Sequence, residues 1–322
     1  MQYLAKLIRL EGITEDYFKG ESSIIVIGAF DGVHLGHKKI IEQCIKRAKE
    51  VKGISIVLTF EDHPLNIIKG RIHKKLIISF EDKIKLIKRL GVDFVVTVKF
   101  DKKFSVLEPE QFCKEILTNR FHAREIFIGE GFRFGRDRKG NGIFLKNYFA
   151  PLGTKVNIVS LYKVGGVPAS STAVREYFLE GDLEKVNLIL GRCPYVAGTV
   201  TKASGRGRKL GFPTANIGVP KIFVIPKDGV YLGRVKISGS SKKLPALVNI
   251  GDNPTFGNNK KWIEAFIINF NENIYGKKIK IYFLKRLRDE IMFGSEDELV
   301  AQIKIDLENA VKYFKLNCIR DE

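Results

Sequence analysis

Short apolar runs alternate with amphipathic stretches through the first half of the chain. The apolar runs lie at 24–30, 54–60, 93–99, 125–129 and 155–161. Between the second and third runs, Ile84, Ile87 and Leu90 recur at helical spacing, and 110–117 carries a second helical pattern. Strands that alternate with helices are typical of a parallel sheet with crossover helices, so we predict an α/β domain here.

Beyond Gly191 the pattern changes to short β-branched runs rich in glycine and proline. Two short helices, predicted at 173–180 and 182–190, precede this change. The predicted strands then lie at 197–200, 230–237, 246–250, 262–270 and 278–284. Because no helix is predicted between them, these strands indicate a small antiparallel barrel. We place the domain boundary between residues 187 and 188.

The last strong pattern predicts a helix from Ser295 to about Phe314. Its apolar stripe is formed by Leu299, Ile303, Leu307, Ala310 and Phe314. Ser295 followed by Glu298 is the signature of a capping box, which places the start of the helix.

Composition narrows the class of protein. A chain of 322 residues with 44% hydrophobic residues suffices for two cores, and no run approaches the roughly 18–20 apolar residues of a membrane span. The N-terminus carries no signal-peptide pattern. The four cysteines form no C-x-x-C pair, which argues against a disulfide framework or a zinc site. We expect a cytoplasmic protein with no membrane partner.

The net charge of +19 raises the alternative of a nucleic-acid partner. The lysines are scattered through helices and strands, and neither an RNA-recognition motif nor zinc-finger spacing occurs. We therefore predict small anionic substrates and no nucleic acid.

The segment 28–37 (GAFDGVHLGH) lies between a predicted buried strand and a predicted helix. Free backbone N–H groups and the helix dipole bind phosphate at such a turn. His34 and His37 can donate to phosphate oxygens and stabilise transition-state charge. With Gly28 and Phe30 they are candidate ATP-binding or catalytic residues. H-x-G-H in this setting resembles the signature of nucleotidyltransferases that cleave ATP between its α- and β-phosphates.

A second candidate phosphate site opens the first of the two short helices. Ser171 and Thr172 can cap the helix or bind phosphate, and Arg175 can grip a polyphosphate. Alone, this pattern fits a plain helix cap with a surface arginine. Combined with H-x-G-H in one α/β unit, it favours phosphate binding.

A basic, glycine-rich loop follows in the second half. It has neither Walker nor Rossmann glycine spacing, and in isolation a turn between strands explains it. Its candidate ATP-binding residues are Gly205, Arg208, Gly211, Pro213, Thr214 and Asn216. Thr214 and Asn216 also offer oxygen ligands to Mg²⁺.

These motifs occur in one order over nearly the whole chain. They lie at 28–37, 170–175, 205–216, 228–231, 249–256 and 287–290. The chain thereby resembles the bifunctional prokaryotic riboflavin kinase/FMN adenylyltransferase (FAD synthetase) family. The resemblance implies a Rossmann-like nucleotidyltransferase domain at 1–187 and a Greek-key riboflavin kinase barrel at 188–322. The barrel would phosphorylate riboflavin with ATP and Mg²⁺, and the first domain would adenylylate FMN to FAD.

The resemblance also assigns roles. Glu264 corresponds to the kinase base, and Arg288 to a position near the flavin. His63 and Phe132 fall in the segments that would hold FMN.

Three positions depart from the family pattern. Asp62 and Gly131 replace a proline and an aspartate on the flavin side of the first domain, and Phe266 replaces a histidine in the barrel. These departures leave open a kinase with a weak or inactive adenylyltransferase half. A non-enzymatic flavin- or nucleic-acid-binding protein is the third hypothesis.

Overall fold

The computed structural model describes residues 5–10, 18–61, 66–67, 70–202, 205–252 and 261–316. The chain divides into two units, Met1–Ser171 and Thr172–Glu322. His63 and Asp62 lie outside the described residues.

A six-stranded parallel sheet forms the centre of the first unit. Its strands are β1 (Lys6–Leu10), β2 (Ser23–Ile27), β3 (Ile54–Phe60), β4 (Phe94–Val98), β5 (Ala123–Gly129) and β6 (Lys155–Val159). They lie in the order β1-β4-β3-β2-β5-β6, and every neighbouring pair is parallel. The strand order reverses at β2, which has β3 on one side and β5 on the other. The carboxyl ends of β2 and β5 therefore border the crevice where α/β sheets bind ligands.

Helices cover this sheet. They are α1 (Leu35–Glu50), α2 (Phe80–Lys88), Lys102–Ser105, Pro109–Gln111 continuing as the π-helical Phe112–Thr118, and α3 (Gly142–Phe149). Short 3₁₀ turns lie at Arg136–Arg138 and Ala150–Leu152, and β7 (Lys163–Val164) pairs with β8 (Val167–Pro168). Ile25, Leu58 and Val96 are fully buried in the sheet. Near-continuous apolar strands of this kind are expected where both faces of a sheet are covered.

The second unit is a closed antiparallel barrel, preceded by α4 (Ser171–Glu180), whose first residue closes the first unit, and by α5 (Leu183–Leu190). Its strands are β9 (Tyr195–Thr201), β10 (Ala215–Gly218), β11 (Gly229–Ile237), β12 (Leu244–Asp252), β13 (Lys261–Ile267) and β14 (Lys278–Arg288). The order is β10-β13-β12-β11-β14-β9, and β9 pairs with β10 to close the barrel. β11, β12 and β13 are consecutive hairpin neighbours, and β14 returns beside β11, which is a Greek key. The predicted fold class is confirmed for both halves.

A terminal helix, α6 (Glu296–Leu316), packs on the outside of the barrel. Ala310 is fully buried against Val230, Leu232 and Leu247. Ser295 Oγ accepts from Glu298 N at 3.2 Å, as predicted, but the Glu298 carboxylate accepts from Gly294 N at 2.9 Å. The predicted capping box is therefore shifted, because its second bond reaches the residue before the N-cap. No helix in the described part of the chain is long and apolar enough to span a bilayer.

Candidate active sites

The turn between β2 and α1 has an unusual backbone. Phe30, Gly32 and Val33 adopt positive φ angles of 51°, 83° and 40°. Phenylalanine and valine rarely adopt such angles, and such strain persists only where the surrounding structure enforces it. Both side chains are buried, which anchors the turn. This is the segment in which H-x-G-H predicted an ATP-handling site.

His34 and His37 lie together at the N-terminus of α1. His34 is the N-cap, and its Nδ1 accepts from His37 N at 3.2 Å. The two rings stack with centroids 3.5 Å apart, and the Phe30 ring meets His37 edge-on at 5.2 Å. Because Nδ1 of His34 accepts a hydrogen bond, Nε2 carries the proton of the neutral ring. His34 therefore presents an Nε2–H donor beside the positive end of a helix dipole.

Two glycines allow this packing. A Cβ at Gly36 would lie 2.9 Å from Ala169 O and 3.2 Å from His34 Nδ1. A Cβ at Gly28 would lie 2.8 Å from the Phe30 ring. The close approach of backbone and rings explains why these positions carry no side chain.

The hydroxyl of Ser171 donates to Asp31 O at 2.8 Å, which ties the start of α4 to the turn after β2. Donation to a phosphate would require this hydroxyl to release Asp31. Thr172 is exposed and Arg175 is half-buried on the following turn of α4, in the second unit. The phosphate-binding role of these three residues stays a prediction.

Two buried charged side chains, one in this turn and one in contact with it, were assigned no role from the sequence. Asp31 is 6% exposed, and its carboxylate accepts from Ile77 N at 3.1 and 3.2 Å. Lys83 of α2 is buried and donates to Phe60 O and Ala29 O. Lys83 stands one turn before Ile87 on the apolar stripe of its helix, which is the signal that could have identified it.

An aromatic cavity lies at the carboxyl ends of β3, β4 and β5. It encloses about 580 Å³ of space, part of it open to solvent. Its rings come from Phe60, Phe100, Phe104, Phe112, Phe132 and Phe134. Flat apolar walls of this kind suit a fused aromatic ring system. The sequence singled out Phe132 alone, because the other rings come together only through the parallel register.

The departure at Gly131 lies beside this cavity. A Cβ at Gly131 would meet no described atom within 4 Å. The structure therefore has room for the family's aspartate but lacks its carboxylate at this position.

In the barrel, Glu264 of β13 lies between two asparagines. It pairs across the strands with Asn216 of β10 and with Asn249 of β12, so the three residues share one face. Thr214 Oγ1 donates to Glu264 Oε2 at 3.4 Å. The structure brings together Glu264, which the family resemblance assigned to the kinase, and the predicted residues Thr214 and Asn216. Their roles stay predictions, and Asn249 was assigned no role.

Burial controls the chemistry of this cluster. Desolvation raises the pKa of the Glu264 carboxyl, and the hydrogen bond from Thr214 opposes the rise. Asn216 is 7% exposed, and nothing in the described residues donates to its Oδ1. A buried acceptor beside a hydroxyl and a carboxylate is an all-oxygen donor set, which fits Mg²⁺. Thr214 and Asn216 are therefore suitable ligands for the predicted metal.

The glycine-rich loop packs tightly before β10. Phe212 N donates to Gly207 O at 2.8 Å, and a Cβ at Gly207 would lie 2.5 Å from Phe212 O. Gly205 and Gly211 have φ angles of 71° and 88°, which glycine adopts without strain. Arg208 and Pro213 are exposed. The loop thus leaves predicted ATP-binding groups on its outer surface.

Phe266, the departure in the barrel, packs against this loop. Its ring meets Phe212 edge-on at 6.0 Å and also contacts the cluster beneath α6. The substitution therefore replaces a titratable side chain by an apolar contact between loop and barrel.

Arg288, the predicted flavin neighbour, is held by the terminal helix. Its Nη2 and Nε donate to Asp306 Oδ2 at 2.7 and 3.0 Å, and Gln302 donates to Asp306 Oδ1 at 3.0 Å. Cross-strand pairing places Arg288 in the same row as Asn249 and Glu264, through Val230. A flavin contact by Arg288 stays a prediction.

Two family models match the chain, one in each half. The family model of FAD synthetase matches residues 18–173, and that of riboflavin kinase matches 190–314. A bifunctional riboflavin kinase/FMN adenylyltransferase of Buchnera aphidicola subsp. Schizaphis graminum is 37% identical, over 97% of this chain and 99% of the relative. The protein of that name from Bacillus subtilis is 34% identical, over 91% and 92%.

A solved structure covers both units as well. The crystal structure described as a macrolide-efflux protein from Streptococcus pneumoniae is 30% identical, with a TM-score of 0.82 over 94% of this chain and 97% of that one. The two chains therefore share a fold over nearly their whole length.

The sequence resemblance is confirmed over both halves. With two family models in succession and relatives similar from end to end, the chain belongs to the bifunctional riboflavin kinase/FMN adenylyltransferase family.

Proposed function

We propose that the barrel phosphorylates riboflavin with ATP to give FMN, and that the α/β domain joins AMP from a second ATP to FMN. The products of the second reaction are FAD and pyrophosphate. The observation that carries the proposal is the half-buried carboxylate of Glu264 beside Thr214 and Asn216, in a chain whose other unit places two histidines at a helix N-terminus. The adenylyltransferase role is proposed for residues 1–187 and the kinase role for 188–322.

In the kinase, Glu264 accepts the proton of the ribityl 5′-hydroxyl. The freed oxygen attacks the γ-phosphorus of ATP, the new O–P bond forms, and the bond to ADP breaks. The raised pKa of Glu264 makes it a stronger base than an exposed carboxylate. Mg²⁺, held by Thr214 and Asn216, would neutralise phosphate charge when bound. Gly205, Arg208, Gly211 and Pro213 of the loop contribute to ATP binding.

In the adenylyltransferase no strong base is needed, because the FMN phosphate is already ionised at neutral pH. One of its oxygens attacks the α-phosphorus of ATP, and the bond to pyrophosphate breaks. The Nε2–H of His34, with His37 and the N-terminus of α1, stabilises the charge on the five-coordinate phosphorus. Gly28 and Phe30 shape the turn, and Ser171, Thr172 and Arg175 bind the leaving phosphates. No covalent enzyme intermediate forms.

The flavin of FMN occupies the aromatic cavity around Phe132. In the barrel, Arg288 contacts the flavin from the row that contains Glu264. Both reactions consume ATP, so we place the enzyme in the cytoplasm, with small-molecule substrates and no nucleic-acid partner.

The test is incubation of the purified protein with riboflavin, ATP and Mg²⁺, followed by chromatography. FMN and then FAD are expected, and chelation of Mg²⁺ should stop the kinase step. FMN without FAD, even from supplied FMN, would leave a kinase with an inactive adenylyltransferase half. Absence of both products would refute the proposal.

A further inference from the structure

Lys83 bridges two strand ends at the carboxyl edge of the parallel sheet. Its Nζ lies 2.5 Å from Phe60 O, the last residue of β3, and 3.3 Å from Ala29 O, two residues beyond β2. The side chain is 7% exposed and projects from α2. One ammonium thus joins the ends of two neighbouring strands.

A buried ammonium is costly unless acceptors surround it. Lys83 lines a small pocket of about 20 Å³ together with Asp31 and Glu61, so the walls of this pocket include two carboxylate side chains. A methionine would fill much of the same space without a charge. The contribution specific to lysine is therefore its set of donors, which fixes the two carbonyl oxygens.

Each carbonyl governs a different part of the adenylyltransferase site. Ala29 directly precedes Phe30, whose positive φ opens the turn that carries His34 and His37, and its oxygen also accepts from Thr59 Oγ1 at 3.2 Å. Phe60 contributes its ring to the aromatic cavity, where it meets Phe100 at 5.7 Å. Lys83 thus contacts both the turn and the strand end that contributes a ring to the cavity.

We propose that Lys83 is a positioning residue for adenylyl transfer, which fixes the histidine turn relative to the aromatic cavity through Ala29 O and Phe60 O. The inference rests on the proposed adenylyltransferase function. Attack of the FMN phosphate on the α-phosphorus depends on the distance between ATP at the turn and flavin in the cavity. A displacement of about 1 Å can slow such a reaction about 100-fold.

The experiment compares Lys83→Met, Lys83→Arg and the control Lys85→Met, which alters an exposed lysine of the same helix. The rates of FMN adenylylation and of riboflavin phosphorylation are measured on the same purified chains. FMN binding is titrated by calorimetry to count the sites that remain.

For Lys83→Met we expect kcat/KM for FMN adenylylation to fall about 100-fold, with a raised KM for FMN and the same number of FMN sites per chain as in wild type. Riboflavin phosphorylation should stay within about twofold of wild type. Lys83→Arg, which keeps the positive charge and the N–H donors, should recover more of the rate than Lys83→Met does. Lys85→Met should match wild type in both reactions.

Unchanged kcat and KM in Lys83→Met would overturn the inference. A loss of rate in proportion to the loss of FMN sites, with KM unchanged, would also overturn it. That result would mean that Lys83 only stabilises the folded domain. Should Lys83→Met fail to fold, Lys83→Leu, which also lacks a donor, replaces it, and a rate no lower than that of Lys83→Arg then overturns the inference. Failure of the wild-type chain to make FAD would instead refute the proposed function itself.

Discussion

Glu264 combines a position and an environment that suit a base. Its neighbours on both adjacent strands are uncharged amides, and its pKa is raised by burial. We predict that Glu264→Gln lowers riboflavin phosphorylation about 10²–10⁴-fold, the usual contribution of a general base. FAD formation from supplied FMN should persist, and chromatography of both products checks the pair. Equal loss of both reactions would contradict the assignment of Glu264 to the kinase alone.

The same raised pKa predicts how pH acts on rate and stability. The kinase rate should rise with pH as Glu264 ionises, at a pH above the ordinary glutamate range. Because the folded-state pKa is raised, the stabilising contribution of this group is present at low pH and is lost as pH rises through that pKa. Glu264→Gln should therefore raise the Tm of the kinase unit at neutral pH, with a difference that vanishes in acid. A variant less stable than wild type at neutral pH would contradict the burial argument.

His34 serves both as helix cap and as candidate phosphate donor, and two substitutions separate these roles. Asparagine is a good N-cap, whereas alanine is not. We predict that His34→Ala and His34→Asn both lower FAD formation about 10²–10³-fold, as expected for loss of one transition-state donor. Only His34→Ala should also lose about 1 kcal/mol of stability. Kinetic assays measure the loss of FAD formation, with FMN formation as the internal control, and thermal unfolding measures the loss of stability. Full activity of His34→Asn would show that His34 serves only as a helix cap.

At the scale of elements, the β2–α1 turn depends on the absence of side chains at specific points. Gly36→Ala would press against Ala169 O and the His34 ring, whereas Gly131→Ala meets open space. We predict that Gly36→Ala lowers the rate of FAD formation by up to about 100-fold, because it shifts the stacked histidines. Gly131→Ala should change this rate little. The riboflavin kinase rate should be unaffected in both variants. Equal rates in the two alanine variants would show that the turn tolerates the shift.

The helices and strands also show which elements hydrophobic periodicity can predict and which it cannot. The five apolar runs of the first half and the alternating Ile279, Ile281 and Phe283 are strands, because burial on a sheet requires those patterns. β1 and β10 were not predicted, because neither is a continuous apolar run and each becomes a strand by pairing with distant partners, β4 for β1 and β9 and β13 for β10. The contacts of Lys83 with Ala29 O and Phe60 O could not be predicted for the same reason, because they depend on how α2, β2 and β3 pack together. The motif residues could be identified from the sequence because each motif lies within one turn. Contacts between residues far apart in the sequence could not be identified in this way.

At the scale of the whole molecule, each unit has its own core, and the proposed adenylyltransferase residues lie in the first unit apart from Thr172 and Arg175, which belong to the second. The first unit is centred on the parallel sheet and the second on the closed barrel, and the residues proposed for the kinase all lie in the second. The residues proposed for the two reactions do not overlap, so the two reactions are linked only by FMN. Two chains that each lack one activity should then complement one another through free FMN.

We predict that an equimolar mixture of Glu264→Gln and the double variant His34→Ala, His37→Ala converts riboflavin to FAD in the presence of ATP and Mg²⁺. Neither variant alone should do so. Because FMN must leave one chain and accumulate before another adenylylates it, FAD should appear after a lag that shortens when FMN is added. Time-resolved chromatography measures the lag, with the wild-type chain as reference. A mixture that yields FMN but no FAD, while Glu264→Gln alone still adenylylates supplied FMN, would show that the two sites must reside in one chain.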